Sequence, residues 1–219
     1  GIYAWSAREW VRKQEGWCFL TFREAEKDAV LPLISLWLES LTRRLLNSDL
    51  SPEKTTWVVI DELAVLQAQP TLVSLINRGR KRGVAVTIGF QDVLQLYAMY
   101  GKEQASNMLD QPATRLLLRT NNGETQRWCS GDIGRRQVLR PFESETAGPE
   151  NVRDSISRSF QRPEEAAVMG SQFGMLPNLS GYLKVAHYGA ARVQVAYVGM
   201  LGLGRQPAFI GRNPTTPAG

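Results

Sequence analysis

Short apolar runs alternate along this chain with longer stretches whose apolar residues return every three or four positions. Residues 17–22 form an aromatic-rich apolar run that predicts a buried strand. From 30 to 46, Leu33, Ile34, Trp37, Leu38, Leu41 and Leu45 recur at helical steps, predicting an amphipathic helix with a broad apolar stripe. Arg43 and Arg44 then sit at the negative end of its dipole. Residues 47–55 read as a loop around Pro52. Trp57 to Ile60 is apolar throughout, which suits a strand buried on both faces and makes Trp37 and Trp57 core residues. A helix is expected after Pro70, using Leu72, Leu75 and Ile76 and stopped by Gly83, with a second buried strand over 84–88. Asp92 is placed to cap a helix through Tyr100, and 102–109 resumes as helix after Gly101. A third strand is expected at 115–119, a helix at 124–133 and a short strand at 137–142. Strands alternating with helices at this spacing predict an α/β fold with a mostly parallel sheet.

The texture changes after residue 142. Residues 143–161 are polar and contain Gly148 and Pro149, so they form either an exposed loop or a meander. Residues 181–188 and 192–198 alternate like antiparallel strands around Gly189, with His187 a structural residue inside one of them. The expected division is therefore 1–142 as the core portion, 143–201 as a β-rich extension of the same domain, and 202–219 as a flexible Gly- and Pro-containing tail.

Composition narrows the function classes. With 219 residues, 43% hydrophobic and 21% charged, the chain is neither disordered, collagen-like nor disulfide-stapled. A net charge of +5 permits a nucleic-acid partner without requiring one. Cys18 and Cys129, the only cysteines, read as buried thiols rather than a disulfide, and a single histidine argues against a histidine-based metal site. No apolar stretch approaches the roughly 20 residues needed to span a bilayer, so this chain is expected to be soluble.

The sharpest chemical feature is the acid pair Asp61 and Glu62 directly after a buried strand. A parallel strand delivers such residues to the carboxyl edge of the sheet, where open α/β folds bind ligands. There Asp61 could hold the water shell of Mg²⁺ and Glu62 could take a proton from, or orient, an attacking water. The bland alternative is a strand that ends in two solvated acids. Arg78, Arg80, Lys81 and Arg82 crowd the end of the next helix, either as a solvated terminus favoured by the dipole or as phosphate-bridging cations. Gln91, after the 84–88 strand, could hydrogen-bond a terminal phosphate or its attacking water. These three features are expected to fall together at consecutive strand ends. Arg115, Arg119, Arg127, Arg135, Arg136 and Arg140 are weaker candidates for contacts to DNA phosphates, against a reading as ordinary surface charge.

Several segments together resemble the conjugative coupling proteins of type IV secretion, the TraD/TrwB/TraG-like DNA-pumping ATPases. They are 6–13 with Trp10, the run near Leu20, 32–38, 58–63, 79–83 and 89–91, followed by 110–115, 124–128 with Ile133 and Gly134, and 176–182. The resemblance covers most of residues 5–200. It implies the carboxyl-terminal portion of a RecA-like P-loop NTPase motor domain with a small β-rich extension. It also implies Asp61 and Glu62 as the Walker B pair, Arg80 as an arginine finger and Gln91 as a phosphate sensor, with ATP and Mg²⁺ as cofactors. Arg78, Lys81 and Arg82 would face a neighbouring subunit or DNA. The implied partners are DNA, a relaxase–DNA complex, secretion-channel proteins and further copies in a homo-hexamer, at the cytoplasmic face of the bacterial inner membrane.

One departure stands out: no Gly-x-x-x-x-Gly-Lys-[Ser/Thr] loop occurs in the 219 residues. In the family that loop lies upstream, so the expectation is a fragment of a larger ATPase that hydrolyses no ATP alone. The alternatives are a non-catalytic, motor-derived module that docks DNA or a relaxase, and a related motor that assembles pili or pumps chromosomal DNA.

Overall fold

The computed structural model describes residues 5–50, 53–138, 140–146 and 155–198, with 140–146 and 155–161 described by their backbone alone. Ser6 caps α1 (Ala7–Lys13) by accepting a hydrogen bond from the Glu9 amide, and Gln14 ends the helix in the left-handed region at φ 50°. The long helix expected next is α2 (Lys27–Asn47), which buries Ile34, Ser35, Leu38, Leu41, Thr42 and Leu45.

The central pair of strands is β1 (Thr56–Ile60) and β2 (Val84–Ile88), parallel and in register from Thr56 opposite Val84 to Ile60 opposite Ile88. They are linked by α3 (Pro70–Arg78), which opens on a proline that needs no amide donor there, and by a 3-10 turn at Gly79–Arg82. Gly83 closes that turn at φ 69°, in the conformation that glycine adopts at least cost. Beyond β2 come α4 (Val93–Tyr100) and α5 (Lys102–Asp110), separated by Gly101 at φ 78°. Then follow β3 (Thr114–Leu118) and α6 (Gly123–Ile133).

The remaining elements are β4 (Arg135–Gln137), β5 (Arg140–Thr146), β6 (Ser155–Gln161), β7 (Glu164–Ala166), α7 (Gly170–Gly174), β8 (Ser180–Val185) and β9 (Gly189–Gln194). Among the described residues, parallel pairing is confined to β1–β2. Antiparallel pairing gives β3-β8-β9, β4-β7 and β5-β6. Thus strands from beyond residue 142 extend β3, and within the polar stretch residues 143–146 pair antiparallel with 155–158, as the meander of the two readings requires. The 202–219 tail lies outside the described residues.

Three apolar clusters hold these layers together. Leu63, Leu72, Val73, Val93, Leu96 and Met108 join α3, α4 and α5 to the carboxyl half of β1–β2. Ala7, Val11, Leu41, Leu45, Leu75 and Val84 pack α1, α2 and α3 together with the start of β2. Leu117, Cys129, Val168, Phe173 and Leu176 join β3 to α6 and α7. Burial, with the nearby Asp132 charge adding to it, pushes the Cys129 thiol up to about 12.

Four expectations are corrected. Residues 17–22 alternate exposed and half-buried as a strand would, with Cys18 and Leu20 packed inward and Trp17 83% exposed. They have no ladder partner among the described residues, so no strand forms there. β1 is covered on one face only: Trp57 and Val59 point to its open side, and Trp57 is 64% exposed. Trp37 lies on the outer side of α2, 41% exposed, where its ring meets Trp5 at 5.1 Å. His187 is an exposed residue of the turn between β8 and β9, at φ 71°, and not part of a strand.

Candidate functional site

The acid pair stands at the carboxyl end of β1, and a tight backbone approach places it. The Gly89 amide donates to the Ile60 carbonyl at 2.7 Å, and the Leu63 amide donates to the Gly89 carbonyl at 2.8 Å. The strand pairing therefore continues past β1 and β2, with Asp61 and Glu62 held between two anchored residues. A Cβ added at Gly89 would lie 2.1 Å from the Asp61 carbonyl oxygen, inside any permitted contact. Gly89→Ala is thus expected to cost at least about 2 kcal/mol of folding stability, by forcing two backbones apart. Urea denaturation measures it, and a loss below about 0.5 kcal/mol would show that this approach does not constrain Asp61.

Asp61 is exposed at this edge and Glu62 is half-buried. Glu62 Oε1 is shielded from solvent and has no hydrogen-bond partner among the described residues. A buried carboxylate oxygen left unsatisfied is costly unless something absent from the chain completes it. Both acids also form part of the wall of a cleft of about 480 Å³, which runs between residues 18–22 and the free edge of β1.

Gln91 is exposed one residue past Phe90, at the end of β2 and on the same edge as Asp61. Its neighbour Asp92 caps α4, with Oδ1 accepting from the Leu94 amide at 2.8 Å. The capping residue also ties in the turn after β3: Asn122 donates to Asp92 Oδ2 at 2.8 Å and Thr125 Oγ1 donates to Asp92 Oδ1 at 3.0 Å. Thr125 Oγ1 accepts in turn from the Val93 amide at 3.2 Å, and Asn122 Oδ1 accepts from the Thr125 amide at 2.9 Å. These bonds tie the turns after β2 and β3 together at Asp92, the residue next to Gln91. Asn122 and Thr125 were missed as positioning residues in the sequence reading. The available signal was an N-cap asparagine three residues before a threonine.

The basic run is elsewhere. Arg78 ends α3, and Arg80, Lys81 and Arg82 fill the turn that enters β2 at Val84, opposite Thr56, the first residue of β1. That is the amino edge of the sheet. A five-residue strand at about 3.3 Å per residue puts it about 16 Å from the edge bearing Asp61 and Gln91. The structure thus brings Asp61, Glu62 and Gln91 together but not the four cations, which corrects their expected place at one set of strand ends. All four are exposed and without an ion pair among the described residues.

Arg115 is also corrected as a DNA candidate. Its side chain is only 14% exposed and is paired with Asp132, which also takes Lys184 Nζ at 3.0 Å. Arg127 pairs with Glu124 at 3.1 Å on the surface of α6.

No group of three or more His, Cys, Asp or Glu side chains that could hold a metal occurs among the described residues. The acid pair suits Mg²⁺ only in the way this ion is bound beside phosphates, through one or two carboxylates with waters and phosphate oxygens completing the shell. Among the described residues no helix is long and apolar enough to cross a membrane.

An α/β domain that gathers acids and an amide at the carboxyl edge of adjacent parallel strands belongs to the open-sheet class that binds ligands at that edge. Residues 3–196 match the type IV secretion-system coupling protein DNA-binding domain, and the chain belongs to that family. It is 28% identical over 196 residues to coupling protein TraD of Escherichia coli (strain K12), covering 87% of this chain and 27% of that protein. Among solved structures it is similar to the unbound monoclinic form of the bacterial conjugative coupling protein TrwBΔN70. The TM-score is 0.79 at 29% identity, over 94% of this chain and 46% of that one. TrwB in complex with ADP and Mg²⁺ gives the same TM-score of 0.79 at 27% identity, again over 94% and 46%. TrwB with the non-hydrolysable GTP analogue GDPNP is similar to the same degree, at 27% identity. The chain therefore spans about a quarter of TraD and just under half of the TrwB chains. The fold is the RecA-like α/β motor portion that the sequence led us to expect.

Proposed function

We propose that this chain supplies the Walker B part of a coupling-protein ATPase that recruits DNA and moves it into a type IV secretion channel. The observation that carries the reading is the unpartnered, shielded Glu62 Oε1 beside Asp61, on the sheet edge that also bears Gln91. ATP with Mg²⁺, when bound, supplies the phosphoryl group whose transfer to water releases energy. Asp61 accepts hydrogen bonds from the ion's water shell, Glu62 accepts the proton of the attacking water, and Gln91 orients that water or a terminal phosphate oxygen. The phosphate-binding loop comes from polypeptide outside these 219 residues.

Because Arg80 is at the opposite edge from these three, it serves as an arginine finger only by facing another copy's nucleotide. The reading therefore includes a ring, taken as a homo-hexamer, at the cytoplasmic face of the inner membrane. A relaxase–DNA complex and channel proteins are its further partners, and Arg78, Lys81 and Arg82 face a neighbouring subunit or DNA.

The test is Asp61→Ala in the natural gene, scored by DNA transfer between cells and by DNA binding of the purified product. Transfer is expected to fall to background with DNA binding retained. Unchanged transfer would leave a non-catalytic docking module in place of the motor.

A further inference from the structure

A second basic site lies away from the acid edge. Arg8, Ser40, Arg43, Arg44, Asn47 and Ser48 line an open cavity of about 430 Å³ where α1 crosses the last turns of α2. Of the acids beside it, Glu9 and Glu39 are already engaged, while Asp49, directly after Ser48, is exposed. Glu9 pairs with Lys13 at 3.1 Å, and Glu39 takes Arg43 Nε at 2.6 Å together with the Thr71 hydroxyl. Burial alone would raise the Glu39 carboxyl, but those two donors outweigh it and hold the group below its usual range, as a charged partner for Arg43. Arg8 and Arg44 are left with no acidic partner among the described residues. Arg44 Nε is shielded from solvent and has no acceptor. That nitrogen is closed to an outside ligand, but the guanidinium stays charged and carries five donors, so an anion suits its remaining N–H groups.

The position of the cavity extends this charge. Helix α2 leads to the start of β1, and α3 leads from the end of β1 to the start of β2, so both run towards the amino edge of the sheet. Thr71 lies opposite Glu39, which brings the end of α3 level with the end of α2. The unpaired Arg78, Arg80, Lys81 and Arg82 therefore emerge on the same side of the sheet as Arg44. The two groups of cations share that side of the sheet, with the exposed acids Asp49 and Glu53 also on the segment from α2 to β1, and Ser40, Ser48 and Asn47 add hydroxyl and amide groups to the cavity. Such a surface fits a row of phosphates rather than one small anion.

We propose that the cavity of Arg8, Arg44, Ser40, Asn47 and Ser48 seats backbone phosphates of duplex DNA, read without regard to sequence. The proposal rests on the DNA-handling role above for the source of the phosphates, since a nucleotide's phosphates would satisfy the same donors. The 219-residue chain is titrated against two unrelated fluorescein-labelled 30-base-pair duplexes by anisotropy, from about 50 to 200 mM salt. Each lost phosphate contact lowers the slope of log K against log salt by about one, so Arg8→Ala with Arg44→Ala should lower it by about two on both duplexes. Arg8→Lys with Arg44→Lys should keep the wild-type slope, and thermal melting checks that all forms are folded. An unchanged slope in the folded alanine pair overturns the proposal and leaves the DNA-handling role standing. No binding by the wild-type chain overturns the proposal and removes DNA contact by this part of the protein. Displacement of the duplex by micromolar Mg²⁺–ATP, lost in the alanine pair, overturns it by assigning the cavity to a nucleotide.

Discussion

Glu62→Gln, in a form of the protein that carries its phosphate-binding loop, is expected to lower ATP turnover by about 10²- to 10⁴-fold, the range of general-base contributions. The substitution preserves size and one oxygen acceptor while removing the capacity to take a proton, so it separates chemistry from packing. Glu62 Oε1 has no partner among the described residues, so no internal hydrogen bond is lost that could disguise a folding defect as a catalytic one. Nucleotide affinity should change little, because Asp61 and the phosphate-binding loop carry that task. Single-turnover hydrolysis with equilibrium binding of a fluorescent nucleotide gives both quantities. Turnover within about threefold of wild type would remove Glu62 as the base. The 219-residue chain alone serves as the blank, with no turnover expected.

What the sequence disclosed, and what it did not, follows from the range of the interactions. Local rules act within a few residues, and they were readable: the 84–88 strand, the Asp92 cap, the stop before β2 at Gly83 and the break at Gly101 are all where the pattern predicts. Asp61, Glu62 and Gln91 come together because each follows a parallel strand, a rule that needs only strand order. Coverage was not readable. An apolar residue on a strand reads as buried whether or not a second layer covers its face, so Trp57 and residues 17–22 were misread. Arg80 was misplaced for a topological reason, since residues entering a parallel strand lie at the opposite edge from residues leaving one. Gly89 counted only as part of the family-like 89–91 segment, because the approach that demands glycine comes from Asp61, 28 positions earlier along the chain. Arg115 misled for the same reason of distance, its partner lying on α6 and its second neighbour on β8.

That misreading conceals the largest stability effect expected in the molecule. Arg115 and Lys184 are directly opposite each other on β3 and β8, a like-charged cross-strand pair that is unfavourable by itself. Asp132 on α6 resolves it by pairing with both, with side-chain exposures of 14% for Arg115, 30% for Lys184 and 9% for Asp132 itself. Lys184 Nζ also donates to the Asp132 carbonyl, so the lysine fastens the end of α6 to the sheet. Asp132→Ala would leave two cations facing each other in a poorly solvated space, a change that typically costs about 3–5 kcal/mol when one partner of a buried pair is removed. The lower end applies here because Lys184 can turn towards water, and about 3 kcal/mol corresponds to a fall in Tm of roughly 6–12 °C for a chain of this size. The double variant Asp132→Ala with Lys184→Met should recover part of the loss, because it removes the repulsion while keeping the volume of the lysine stem. Thermal and urea denaturation of the two variants settle the matter. If Asp132→Ala melts within about 2 °C of wild type, corresponding to less than about 1 kcal/mol, the triad does not hold α6 to β3 and β8. If instead the double variant is no more stable than the single one, the loss comes from the missing hydrogen bonds of Asp132 and not from cation repulsion.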